Sequence, residues 1–450
     1  MGSTGTGTTS LALDIKIIGA GIGGLACGLA LARKGHHITI FEASKELSEF
    51  GAGIQLTPNA TRLIISQWGL RDEFLKYVNV PGVMTVRRYS DDSIIGEIAH
   101  NPMTEWEYGY PHWQIYRPDF QALLADGAHK AGVSIRFDHT VTAVDPDKGE
   151  LTLKDGTKQT ADLIIGADGI KSRSRSCLSD AEARAFKEYC FRAVVPRAKM
   201  EQDPETAMLM AGHLSMTWVG PGVAVLGYTI AAGQMYNFLV AVPRPSDAPV
   251  GKWNEPGDPN EMASMLQDFC PVVKKVCSYV DDCAKWTLGD LPPIESYVSS
   301  SGRFVLVGDA AHAIVPHLGS GAAMALEDAA ALAEFVSAIK DHDELAALMH
   351  AYHDFRQPRI ESIRKMAYGN QVFLTMEDGP GQEERDKLWA AMTSKWKTEL
   401  KDLGEEGLKT RPKPTPDPSA QSLRTPEGRE FLYGYDVVAE ARKTLRMGSL

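Results

Sequence analysis

A run of three glycines in fixed spacing, Gly19-x-Gly21-x-x-Gly24, follows directly on a mostly apolar stretch, Leu11 to Ile18. The apolar stretch reads as a strand, and Leu25 to Lys34 behind the glycines read as a helix ending at Gly35. His36 to Phe41 return as a β-branched strand that ends at Glu42. This is a strand–turn–helix–strand unit, and each glycine has a mechanical reason to be there. The first makes the tight turn, the second lets the backbone approach a pyrophosphate, and the third lets the helix pack against the strand. Phosphate charge then meets the free N–H groups of the helix start. Glu42 lies near the roughly 20-residue offset at which an acid binds a ribose 2′-hydroxyl. A carboxylate there repels a 2′-phosphate, which favours FAD or NAD over NADP at this site.

Far along the chain Phe304 to Val307 form another apolar strand, running into Gly308-Asp309-Ala310-Ala311-His312. Asp309 is placed to accept from a ribityl hydroxyl. The segment Pro316 to Ala322 holds Gly319 and Gly321 and enters a long helix, so its N–H groups can meet negative charge on a flavin ring edge. Between these lies a buried strand, Leu163 to Ile165, followed by Gly166-Ala167-Asp168-Gly169. Three separated stretches that can touch one extended dinucleotide imply a discontinuous nucleotide domain. Arg117, ahead of the helix opened by Pro118, is a candidate for phosphate or flavin hydroxyls. Arg173 and Arg175 read as a solvated pair or as a docking point for a nicotinamide donor. His312 reads as structural rather than catalytic.

The rest of the chain is read around that frame. Helix Pro118 to Ala131 is followed by short strands at Val133–Phe137, Val141–Val144 and Leu151–Leu153. Strand-like runs at Phe191–Val195, Leu214–Val219, Val223–Thr229 and Tyr236–Val242 predict a separate sheet over a substrate pocket. Residues 246–262 read as a loop. Helices are expected after Gly321 to Ile339 and from Leu345 to Met376, then a Pro-rich linker from Thr410 to Pro426 and a partly aromatic tail. The expected division is a flexible tail at 1–12; a nucleotide domain at 13–85, 112–187 and 286–345; a substrate sheet at 86–111 and 188–285; and C-terminal helices and tail at 346–450. The fold class is α/β with an inserted β-sheet domain.

Composition narrows the partners. A net charge of −11 argues against a general nucleic-acid binder. The six cysteines lack C-x-x-C spacing, which points to a reduced, cytoplasmic compartment, and no metal site is assigned. No apolar run approaches the roughly 20 residues of a membrane span. The expected partner is a small aromatic substrate, and the expected state is a monomer or homodimer.

The motifs resemble those of the group A flavoprotein monooxygenases, the aromatic hydroxylases of the para-hydroxybenzoate and salicylate hydroxylase type. Gly19, Gly21 and Gly24 look like their FAD fingerprint, Asp168-Gly169 like their Asp-Gly motif, and Gly308-Asp309 through Pro316 like their second FAD motif. Gly51 to Ala60, Tyr116-Arg117-Pro118 and Tyr189 to Ala193 are similar to the salicylate hydroxylase-like branch, which includes fungal phenol hydroxylases of polyketide pathways. Many relatives carry Gln where Ser320 stands, and some place a histidine base where Ala224 stands. The resemblance implies that FAD is held by Gly19, Gly21, Gly24, Glu42, Ala43, Gly53, Arg117, Asp168, Asp309, Pro316, Gly319, Gly321 and Ala322. It implies that Arg192 and Tyr228 hold a phenolate, with an arginine lowering the phenol pKa. NADH or NADPH serves as reductant and O2 as co-substrate, and oxygen passes to the ring from a flavin C4a-hydroperoxide. Two alternatives stay open at this point: a flavin oxidase or dehydrogenase without oxygen insertion, and a non-catalytic flavin-binding protein.

Overall fold

The computed structural model describes residues 11–47, 51–246, 253–419 and 422–447. Its centre is a parallel five-stranded sheet in the order Phe304–Leu306, Leu163–Gly166, Asp14–Ile18, His37–Phe41, Ser134–Arg136. Strand residues alternate between two apolar layers, as a two-residue side-chain period requires. Ile15, Ile17, Ile38, Ile40, Leu163, Ile165 and Val305 face one core with the helices Ile22–Ala32, Arg117–Lys130 and Gly321–Ser337. Ile18, Phe41, Ile164, Phe304 and Leu306 face the other, against Leu151 and Leu153 of a three-stranded antiparallel sheet. Sequentially remote strands at 163 and 304 therefore sit beside the amino-terminal glycine turn, as a discontinuous nucleotide domain demands.

Above this layer stands an eight-stranded sheet in the order Asn254–Gly257, Cys283–Asp290, Arg184–Pro196, Met235–Pro243, Ala224–Ile230, Leu214–Val219, Val83–Arg88, Ile94–Ala99. One face packs Phe191, Trp218, Phe238 and Val240 against the helices Pro259–Ser264 and Pro271–Ser278. The opposite face, carried by the alternate residues, roofs a cavity. A two-stranded ladder, Gly53–Leu56 with Trp113–Tyr116, bridges the halves. It is tied upward by hydrogen bonds from Gly53 N to Asn237 Oδ1 (2.8 Å) and from Gln114 Nε2 to Ser215 Oγ (2.8 Å).

Several expectations need correction. The boundary at 85/86 falls inside strand Val83–Arg88, and that at 285/286 inside Cys283–Asp290, because both strands complete the eight-stranded sheet. The segment 246–262 is not all loop: Asn254–Gly257 is an edge strand and Pro259–Ser264 a helix capped by Asp258. Residues 247–252, and residues 1–10 of the expected flexible tail, lie outside the described residues. The aromatic tail is two helices, Pro426–Tyr433, capped by the Thr425 hydroxyl, and Val437–Met447. Val437, Val438 and Ala441 are buried against the Gly321–Ser337 helix, so the segment is an amphipathic helix with a polar outer face rather than a tail.

The long helix Pro380–Thr410, broken at Gly404, covers the outer strand Ile94–Ala99. Thr393 Oγ1 accepts from Glu97 N at 2.7 Å, and Trp396 Nε1 donates to Glu97 O at 2.9 Å. The sheet edge is thereby closed to pairing with other chains. No described helix is long and apolar enough to cross a membrane.

Candidate flavin and substrate cavity

The glycine turn is built as the spacing requires. A Cβ on Gly24 would lie 2.0 Å from Gly19 O, and one on Gly19, which has φ +101°, would lie 2.7 Å from Ala167 O. These two glycines serve packing between strand and helix and do not line the cavity. Gly21 does line it, and a Cβ there would meet nothing within 4 Å. The open space beside Gly21 is where a pyrophosphate fits.

Glu42 Oε2 accepts from Ala20 N at 2.7 Å and Oε1 from Ser44 N at 2.8 Å. It fixes the turn while leaving a second lone pair on each oxygen for a ribose hydroxyl. Ala43 is exposed in the turn that follows. Asp168 departs from its expected role as a direct cofactor contact. Its carboxylate accepts from Ser172 Oγ (2.6 Å), Ser174 Oγ (2.7 Å), Arg173 N (2.9 Å) and Ser174 N (3.0 Å), all inside its own loop. With its lone pairs filled it shapes the loop, and the neighbours Ala167, Gly169, Ile170 and Lys171 line the cavity instead. Arg175 is also structural: its guanidinium donates to the carbonyls of Ile170, Ala181 and Ala310.

Gly53, Arg117, Asp309, Pro316, Gly319, Gly321 and Ala322 converge on one cavity of about 800 Å³, together with Arg192 and Tyr228. Asp309 is exposed into this cavity although protein surrounds it; burial raises its carboxyl pKa, while His312 and Arg117 pull it back down. It accepts no hydrogen bond among the described residues, so its oxygens are free for a ribityl hydroxyl. Arg117 is pushed below the usual arginine range first by burial and then by Arg192, with Asp309 opposing. Gly319, at φ +60°, turns the chain so that Gly321 opens the Gly321–Ser337 helix at the cavity. Free N–H groups, an unpartnered carboxylate, a cation and an open glycine turn form one continuous cradle, and that set of groups fits FAD.

Behind the cradle stands a buried charge network. Asp328 accepts from Gly308 N (2.9 Å), contacts His312 Nε2 (2.6 Å) and pairs with Arg356 Nε (2.9 Å). Glu327 pairs with Arg356 (2.9 Å) and Arg359 (2.7 Å) and accepts from Asn59 Nδ2 (2.7 Å). His312 is therefore structural. The network holds the Gly308-Asp309 turn from below.

On the roof, Arg192 stacks over the Trp286 ring at 4.3 Å, and its Nε has no hydrogen-bond partner among the described residues. Tyr228 is buried, and a Cβ on Gly53 would fall 2.5 Å from its ring and hydroxyl, so glycine at 53 admits the tyrosine. Burial raises the Tyr228 pKa and nearby Arg192 opposes it, leaving a protonated donor. Trp286 and His317 were missed from sequence. His317 lines the cavity beside Pro316 with Nε2 2.7 Å from Glu188 Oε2. Trp286 sits in the strand Cys283–Asp290, which is not among the strands expected from sequence. Its place under Arg192 depends on sheet register, Cys190 pairing with Trp286 and Arg192 with Ala284.

Removing the Asp309 carboxylate tests the cradle. Asp309→Ala should weaken FAD roughly 10- to 100-fold, the worth of a hydrogen bond to a charged group. Equilibrium dialysis of FAD against the apoprotein measures it, and unchanged affinity contradicts the role.

Comparison with known proteins agrees with the geometry. The family described as FAD binding domain matches residues 12–367. The chain is 30% identical over 435 residues to FAD-dependent monooxygenase OpS4 of Beauveria bassiana, covering 95% of this chain and 96% of that protein. It is 29% identical to 3-hydroxybenzoate 6-hydroxylase 1 of Aquipseudomonas alcaligenes, covering 84% of this chain and 94% of the relative. A salicylate hydroxylase substrate complex shares the fold with a TM-score of 0.75 at 22% identity, over 96% of this chain and 98% of that one. The chain belongs to the FAD binding domain family, and its relatives there are FAD-dependent monooxygenases.

Proposed function

We propose that this protein uses NADH or NADPH and O2 to hydroxylate an electron-rich phenol held by Arg192 and Tyr228. The observation that carries the reading is the meeting of Arg192, Tyr228, Arg117 and Asp309 in one cavity that spans the nucleotide layer and the roof sheet. Bound flavin supplies the redox and oxygen chemistry. The chain's own residues do the rest. Arg192, held flat by Trp286, stabilises a phenolate and so lowers the phenol pKa at the site. The phenolate is the electron-rich form that an electrophilic oxygen attacks. Tyr228, kept protonated by burial, donates to the same oxygen and orients the ring. The apolar walls, with Leu226, Leu239 and Leu288 among them, exclude water that would divert oxygen to peroxide. Ala224 stands where a histidine base is found in some relatives, so the cation rather than a base does the activation here.

The test is incubation of holoenzyme with NAD(P)H, ¹⁸O2 and a panel of phenols, with products read by mass. One labelled oxygen in the product supports the reading. Stoichiometric peroxide with a dehydrogenated substrate supports an oxidase and sinks it. Arg192→Ala should keep the yellow flavin and lose product by roughly 100-fold or more, the scale of removing one stabilising donor from an active site. Unchanged turnover removes Arg192 from the site.

A further inference from the structure

The roof of the cavity is longer than one aromatic ring, and its far end is built by a segment outside the family match. Sheet register places Arg192, Leu239, Leu226, Thr217, Val86 and Gly96 in a single row across the strands. The first five all line the cavity. Four strand spacings separate Arg192 from Val86, roughly 19 Å at about 4.8 Å each. Beyond Arg192 this row of the roof, Leu239, Leu226, Thr217, Val86 and Gly96, carries one side-chain polar group, the Thr217 hydroxyl, and it is turned to Met84 Sδ at 3.5 Å. Gly96 is a notch, where a Cβ would lie 2.7 Å from Trp389 Cβ, and Trp389 fills it. Trp389 packs edge-on against Phe373 with ring centroids 4.8 Å apart and together with it closes over Val86. Met392 and Trp396 from the same helix also face the cavity. That helix, Pro380–Thr410, lies beyond residues 12–367, so this end wall is a property of the chain's own carboxy-terminal part.

We infer that the substrate is a phenol bearing an apolar extension, an alkyl chain or a further ring, that runs from Arg192 across the roof sheet to the Trp389 wall. The inference rests on the phenol-binding reading above. A single small ring satisfies Arg192 and Tyr228 but leaves the row from Leu239 to Val86 in contact with water, which an apolar occupant displaces favourably.

The test uses flavin-loaded enzyme and 5-alkylresorcinols with methyl, propyl, pentyl and heptyl chains, which keep the head group constant. Binding is read from the change in flavin absorbance, without turnover. The dissociation constant should fall about three- to fourfold for each added methylene until the chain meets the wall. Met392→Trp, at a half-buried position facing the far end, should erase the gain for the longer chains and leave the methyl homologue unchanged. Met392→Ala should preserve or extend the gain, which separates filling of the cavity from misfolding. Affinity independent of chain length, tightest binding of the methyl homologue, or equal weakening of all homologues by Met392→Trp overturns the inference. Labelled oxygen incorporation, measured in parallel, reports on the parent proposal separately. Chain-length-dependent binding with no oxygenated product sinks the proposed reaction and keeps the extension. Oxygenation of the methyl homologue with rejection of the longer ones does the reverse.

Discussion

Arg356→Met should destabilise the protein by about 3–5 kcal/mol, the cost of leaving buried charge without its partner. Arg356 is fully buried, with Nη1 2.9 Å from Glu327 and Nε 2.9 Å from Asp328. Methionine fills much of the volume and supplies no charge, so two buried carboxylates lose a shared cation. A loss on this scale takes a large part of the 5–15 kcal/mol that ordinarily separates folded from unfolded chains. Denaturant titration of the variant measures it, and a shift below about 1 kcal/mol would show that Arg359 and His312 suffice. The same network makes a pH prediction. Burial alone would raise the Asp328 pKa, but His312 and Arg356 outweigh it and bring it to about 2. A carboxylate whose folded pKa is depressed adds stability above its unfolded pKa, near 4, and loses it as pH falls through the folded value. Stability should therefore decline between about pH 4 and pH 2, by an amount on the order of 2 kcal/mol from this group. Arg356→Met should flatten that part of the profile.

Gly24→Ala should give a protein without bound flavin. The added methyl would lie 2.0 Å from the Gly19 carbonyl oxygen, a backbone atom that cannot swing aside as a side chain can. The Ile22–Ala32 helix must then lift from the Asp14–Ile18 strand, opening the turn that faces the phosphates, at a cost of about 1–3 kcal/mol or more. Gly21→Ala is the control with the opposite signature. Its methyl meets nothing within 4 Å, so thermal stability of the apoprotein should be unchanged while FAD affinity falls. Absorbance of the purified proteins and a thermal melt of each distinguish the two. Gly24→Ala protein that retains full flavin and full stability would contradict the packing role of that glycine.

Local residue chemistry alone carried much of this protein. Gly19, Gly21, Gly24 and Glu42 could be read because strand, turn and helix are adjacent in sequence, and each glycine answers a nearby steric demand. Asp309, Gly319 and Gly321 could be read for the same reason, from a second turn at a strand end. Four of the eight roof strands, those at 191–195, 214–219, 223–229 and 236–242, were legible from their apolar and β-branched runs; the other four were not.

What only the tertiary structure decided follows from contacts between distant segments. Asp168 is expected at the cofactor only through its resemblance to an Asp-Gly motif; four donors from residues 172–174 claim its carboxylate once the loop closes. Trp286 takes its place under Arg192 through strand register, and register is set by pairings across about a hundred positions. The Pro380–Thr410 helix carries no motif at all. Trp389 becomes a cavity wall because Gly96, remote in sequence, has no side chain to hold off the Trp389 backbone and Cβ, and that close approach exists only when the two are brought together.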